Sequence, residues 1–169
     1  MKQYLLIGIL CFAIACKNDD SKGPVTPLPD APKSMSYSII TSYPHDTSSY
    51  TQGLLIYKGE MYEGTGNYTF SKLKKVDIKT GKALQQISLP DEYFGEGITI
   101  LNDTIYQLTW KEKKVFVYTL KDFKKVKEFD ANIEGWGLTN DGKNLIVSTG
   151  GSDLNFYDPS TFKLLKTQT

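Results

Sequence analysis

From residue 36 onward, apolar and polar residues alternate in short runs broken by turn dipeptides, and no stretch of ten residues keeps a helical period. The runs are rich in Tyr, Phe, Ile, Val and Thr, which suit a pleated, half-buried strand. Turn signals recur at Lys58-Gly59, Lys79-Thr80-Gly81, Asn102-Asp103 and Asn140-Asp141-Gly142. The pattern predicts an all-β chain.

The strands are organised as a repeat. QGLLIYKGEMYEGTG from Gln52, EGITILNDTIYQLTW from Glu96 and WGLTNDGKNLIVSTG from Trp136 align on Gly53, Gly97 and Gly137, at steps of 44 and 40 residues. Each unit continues into a second strand pair: KKVDIKTGKALQQISL, FVYTLKDFKKVKEF and LNFYDPSTFKLLKTQ. Four strands in roughly 40–45 residues is the period of β-propeller blades. Residues 36–169 hold about three blades, whereas propellers close with about four to eight. The expectation is a partial β-propeller domain over 36–169, with a strand edge left unpaired and further blades outside this chain.

Counting back from the turns places three residues together. A two-residue turn at Asn102-Asp103 pairs Leu101 with Thr104 and sets Glu96 opposite Thr109, beside Trp110. The same count sets Gln52 opposite Thr65 and, with Asp141-Gly142 as the turn, Trp136 opposite Val147. Gln52, Glu96 and Trp136 thus take one position in three successive blades, at the end that converges on the propeller axis. A lone loop carboxylate is ordinarily just solvated. The shared axial position makes Glu96 a candidate functional group, and makes the two tryptophans more than core packing.

The residues before 36 read as processing signal and spacer. Lys2 precedes an apolar run over residues 4–14, too short to span a membrane. It ends in AIAC, residues 13–16, which resembles the lipobox of bacterial lipoproteins. That implies a signal peptide over 1–15 and a lipidated Cys16; the alternative is an ordinary secretory signal with a chance cysteine. Either route takes the mature chain out of the cytoplasm. The lipobox reading puts it in the cell envelope, touching the membrane through a lipid anchor only. Residues 16–35, polar and carrying Pro24, Pro27, Pro29 and Pro32, read as a disordered tether.

Composition removes several function classes. Cys11 and Cys16 are the only cysteines and His45 the only histidine, so neither a disulfide framework nor an ordinary zinc site is expected. His45 itself reads as an exposed loop residue. Without residues 1–15, nineteen lysines face nineteen acids, and there is no arginine. A nucleic-acid partner, which needs a basic face, is not expected. The runs KLKK (72–75) and KEKK (111–114) read as solvated faces. Glu63 reads equally as structural or functional, and the sequons at Asn67 and Asn102 as coincidence.

Five motifs, YTQGL, YEGTG, LKKVDIKTGK, LPDEYFGEGITILNDTIYQLTWKE and EGWGLTNDGKNLIVSTG, together resemble the glutaminyl-peptide cyclotransferases of plant and bacterial type, over residues 37–169. The resemblance implies a five-bladed propeller that needs no cofactor or metal and is a monomer at full length. Its implied partners are peptides or proteins with N-terminal glutamine, cyclised to pyroglutamate with release of ammonia. It assigns substrate binding to Tyr50 and Gln52, with tyrosine where phenylalanine is usual, and to Phe94, Trp110 and Trp136. Glu96, within FGEG, becomes the catalytic acid/base. The family's later N-E-L-E and N-V-W motifs and a later lysine do not occur in this chain.

The residues suit that chemistry on their own terms. Cyclisation needs a neutral α-amine held against its own side-chain amide carbon, and ammonia departs only when its nitrogen is protonated. One carboxyl group between the two nitrogens can accept the first proton and deliver the second. An aromatic surround favours its protonated form and clamps the glutamine stem. The competing class is a non-catalytic surface propeller lipoprotein that binds peptide or glycan in its funnel; such a binder tolerates Gln at position 96.

Overall fold

Twelve strands, and no helix among the described residues, make up a computed structural model of the chain that describes residues 34–169. The signal segment 1–15, Cys16 and all but the last two residues of the tether lie outside the described residues. The strands form three sheets in strict chain order. The first contains β1 (Thr51–Tyr57), β2 (Glu60–Thr65), β3 (Lys72–Val76) and β4 (Ala83–Ser88). The second contains β5 (Gly95–Leu101), β6 (Thr104–Thr109), β7 (Lys114–Thr119) and β8 (Lys125–Asp130). The third contains β9 (Leu138–Asn140), β10 (Leu145–Ser148), β11 (Leu154–Tyr157) and β12 (Leu164–Gln168). Each is a four-stranded antiparallel meander, the propeller blade that the repeat predicts.

Turn chemistry sets the register of the inner hairpins. Lys58-Gly59 (φ 51° and 80°) and Asn102-Asp103 (φ 51° and 54°) both take left-handed conformations, as a two-residue turn matching the strand twist requires. The third hairpin differs from the expected two-residue turn. Asp141 caps a four-residue loop, its carboxylate accepting from Lys143 N (2.9 Å) and Asn144 N (2.6 Å). Leu138, not Trp136, therefore pairs with Val147, and Trp136 donates its N–H to Ser148 O at 2.8 Å.

The simple hairpin count also fails at the axial ends of β1 and β5. Thr51 pairs with Thr65 and Gly95 with Thr109, with a bulge after each. Gln52 and Glu96 thus occupy bulges and are not paired with those threonines. The cause on β5 is a bond to the next blade: Gly97 donates its N–H to Trp136 O at 2.9 Å instead of serving its own ladder. A bulge of this kind kinks the strand and re-aims a side chain.

The inner strands meet where the repeat carries its glycines. A Cβ on Gly53 would lie 2.5 Å from Ile98 N, and one on Gly97 would lie 2.6 Å from both Leu138 N and Trp136 O. Only hydrogen fits there. Between the first two sheets lies one apolar cluster, including Leu73, Ile98, Ile105 and Phe116; between the second and third lies another, including Leu108, Val115, Leu145 and Val147. The middle blade is covered on both faces, which is why every residue of β5 is buried while β1 is only half-buried.

Candidate active site

The axial ends of the three inner hairpins enclose a cleft of about 580 Å³. All six residues expected to act inside the propeller, Tyr50, Gln52, Phe94, Glu96, Trp110 and Trp136, border it, together with Asn67 and Gly137. Blade one supplies Tyr50 and Gln52, blade two Phe94, Glu96 and Trp110, and blade three Trp136.

Phe94 is the centre of the aromatic wall. Its ring meets Tyr50 edge-on at 6.2 Å, Tyr68 at 5.5 Å and Trp110 at 5.5 Å. Edge-to-face contacts of this kind suit the ring quadrupoles and fix their relative orientation. Gly66 leaves the space that the Phe94 ring and the Gln52 stem fill. The backbone of Phe94 is gripped from both sides: Trp110 N donates to its carbonyl at 3.0 Å, and its own N–H donates to Glu112 Oε2 at 3.2 Å. Trp136 is half exposed toward the cleft, and its indole lies on Gly150, where a Cβ would come within 2.5 Å of the ring. Lys111 seats its ammonium 4.3 Å from the centre of the Trp110 ring.

Glu96 is 7 % exposed. Burial, followed by the negative charge of Glu112, pushes its carboxyl up from 4.5 to about 7. A carboxyl poised there at neutral pH can both give and take a proton. Among the described residues no group of three His, Cys, Asp or Glu side chains is gathered that could hold a metal ion.

Around Thr51 and Glu63 is a polar layer that includes Lys74, a residue the KLKK pattern places on a solvated face. Lys74, in KLKK, is 3 % exposed and donates to Asp46 Oδ2 (3.0 Å) and Ser49 Oγ (2.5 Å). Its Nζ lies 3.9 Å from Glu63, which is fully buried and accepts from Thr51 Oγ1 at 2.6 Å. His45 Nε2 lies 3.0 Å from the same carboxylate, while its ring remains exposed in a loop as expected. Thr51 sits between Tyr50 and Gln52, and this network fixes the segment that carries both. Glu63 is structural.

Three participants escaped the sequence reading. Asn67 lines the cleft with a left-handed backbone (φ 82°), although its sequon carried no weight. Tyr68 joins the aromatic wall and donates its hydroxyl to Glu112 Oε1 at 2.9 Å. Glu112, between lysines in KEKK, is half-buried, and its carboxylate accepts from Phe94 N and the Tyr68 hydroxyl. The signal for it was its spacing: Glu112 follows Trp110 by two residues, on the turn next to a predicted site tryptophan.

Fold and cleft together define a β-propeller with one desolvated carboxyl in an aromatic cage near its axis. The chain belongs to the glutamine cyclotransferase family, whose sequence model matches residues 7–169. Glutaminyl-peptide cyclotransferase of Arabidopsis thaliana is 41% identical over 129 residues, which is 75% of this chain and 40% of that protein. The crystal structure of Myxococcus xanthus glutaminyl cyclase superposes with a TM-score of 0.71 at 30% identity, covering 77% of this chain and 55% of that one. The WD40 domain of Neurospora crassa Pan2 gives a TM-score of 0.57 at 15% identity, over 70% of this chain and 35% of that chain, a likeness of fold alone. The chain thus spans about half, or less, of the length of these relatives.

Proposed function

We propose that the intact protein is a glutaminyl-peptide cyclotransferase acting on peptides or proteins with N-terminal glutamine. The observation that carries this reading is Glu96: a carboxyl pushed up to about 7, facing a cleft walled by Phe94, Trp110 and Trp136. The substrate α-amine, having released its extra proton to solvent, gives a proton to the Glu96 carboxylate as it attacks the side-chain amide carbon, forming the lactam C–N bond. As the bond to the amide nitrogen breaks, Glu96 returns the proton to that nitrogen and ammonia leaves. Atoms and charge balance with no co-reactant. Trp110 and Trp136 present indole faces to the arriving ammonium, and the aromatic wall holds the glutamine stem folded toward reaction. Gln52 offers an amide to the substrate's own amide.

The AIAC stretch supports lipidation at Cys16 and a place in the cell envelope, with the polar residues that follow as spacer. Contact with the membrane through that lipid alone, a monomeric state and no role for nucleic acid complete the reading.

The test is ammonia release from a Gln-initiated peptide, paired with direct peptide binding. Glu96→Gln keeps shape and hydrogen bonding but cannot cycle a proton, so turnover is expected to fall by about a hundredfold or more while binding changes little. Trp110→Ala is expected to weaken binding and turnover together. Wild-type turnover in Glu96→Gln, or tight peptide binding without ammonia release by the wild type, would replace the enzyme with a binding module.

A further inference from the structure

We propose that Glu112 is a positioning residue of the cleft, one carboxylate whose two oxygens hold the aromatic wall and whose charge stands beside Glu96. It rests on the reading of Glu96 as the proton carrier. Oε2 accepts from Phe94 N at 3.2 Å and Oε1 from the Tyr68 hydroxyl at 2.9 Å. Phe94 lies two residues before Glu96 on the same bulged segment, and its carbonyl is held by Trp110 N at 3.0 Å. The turn at residues 110–113 therefore grips both sides of the peptide that delivers Glu96, and Glu112 supplies one of the two grips.

The same carboxylate acts through space. After burial, its charge is the cause that raises Glu96. The surrounding groups do not supply that charge. On the same turn, Lys111 sits over the Trp110 ring, and Lys113 lies 3.9 Å from Glu134 on the segment leading to β9. From blade one the Tyr50 and Tyr68 rings pack on Phe94, and the bond to Glu112 pushes the Tyr68 hydroxyl up. Glu112 thus does two things that pull in one direction. It orders the wall against which the glutamine folds, and it keeps Glu96 willing to hold a proton near neutrality. The cost falls on acid tolerance: a carboxyl that protonates early loses its base form early.

The pH dependence of kcat/KM for a Gln-initiated peptide reads this out in the intact protein. Glu112→Gln can still accept from Phe94 N through its amide oxygen, but it carries no charge. The acid limb is expected to move to lower pH by about half a unit to one unit. Tyr68→Phe removes one hydroxyl and leaves the charge, so KM should rise while the acid limb stays in place. Titration of the glutamate carboxyls by carbon-13 NMR in the resting Glu112→Gln protein should show the same downward move for Glu96, without turnover. An acid limb and a Glu96 titration that both stay fixed in Glu112→Gln would overturn the proposal. If Glu96→Gln itself retains full turnover, the enzyme reading fails first, whatever Glu112 does. If Glu96→Gln is inactive and Glu112→Gln leaves the limb unmoved, only the role given to Glu112 falls.

Discussion

Glu96 holds a proton that the same residue in an unfolded chain would have released. Its carboxyl sits at about 7 in the fold against 4.5 outside it, and this has a cost in stability with a definite sign. Below pH 4.5 both states carry the proton and Glu96 costs the fold nothing. As pH rises toward 7 the unfolded chain ionises first, so stability is lost across that window. Because the open cleft admits some water, the loss is discounted to on the order of 2 kcal/mol. Glu96→Gln has no proton to lose. Urea unfolding should find the variant and wild type alike in acid, and the variant more stable by that amount at about pH 8. A difference that does not change with pH would remove Glu96 as the strained group. The place of Glu96 was legible because Gln-Gly, Glu-Gly and Trp-Gly recur at one repeat position. Glu112 was harder to find because its partner is a backbone N–H eighteen residues away, and its spacing from Trp110 was the one trace in a run of lysines.

At the scale of elements, hairpin counting found the right strands and the right end of each strand. It missed the bulges at Gln52 and Glu96 because a count assumes that every N–H serves its own ladder. Gly97 breaks that assumption by bonding to Trp136 of another sheet. Lys74 was missed for a related reason. Alternation along KLKK calls it solvent-facing, but residues 45–51 fold over β3 and turn that face into an interior. Its ammonium is a buried cation between the buried Glu63 carboxylate and the half-exposed Asp46. Lys74→Met leaves the Glu63 carboxylate without that cation, and removing one partner of a buried pair costs about 3–5 kcal/mol. Urea unfolding of Lys74→Met should show a loss of that order. Adding Glu63→Gln should recover much of it, since the stranded charge is then gone. If the double variant is as unstable as the single one, packing and not charge holds the layer.

Across the molecule, the repeat period alone announced three blades, and the sheets follow it. What the period could not announce is how near the inner strands approach, since that distance depends on which atoms are absent. A methyl on Gly97 would stand 2.6 Å from the backbone of the next blade on two sides, and no rotamer change relieves a backbone contact. Gly97→Ala should therefore push the second and third blades apart, open the Gly97–Trp136 bond and lower stability by about 1–3 kcal/mol. It should also lower turnover by more than the unfolded fraction explains, because Glu96 is adjacent. An unchanged kcat/KM in the folded fraction would show that the seam does not set the cleft.

The column that ends in Gly53, Gly97 and Gly137 also says something about how a repeat acquires a purpose. Duplication copies a blade whole, and three faithful copies would bring three identical side chains to the axis. Here the residue before each glycine is an amide, an acid or an indole, while the glycine is the same in all three. Sameness in one residue keeps the copies stacked; difference in its neighbour divides labour among them. The cleft belongs to no single blade, so exchanging one for another would preserve the architecture and erase the chemistry.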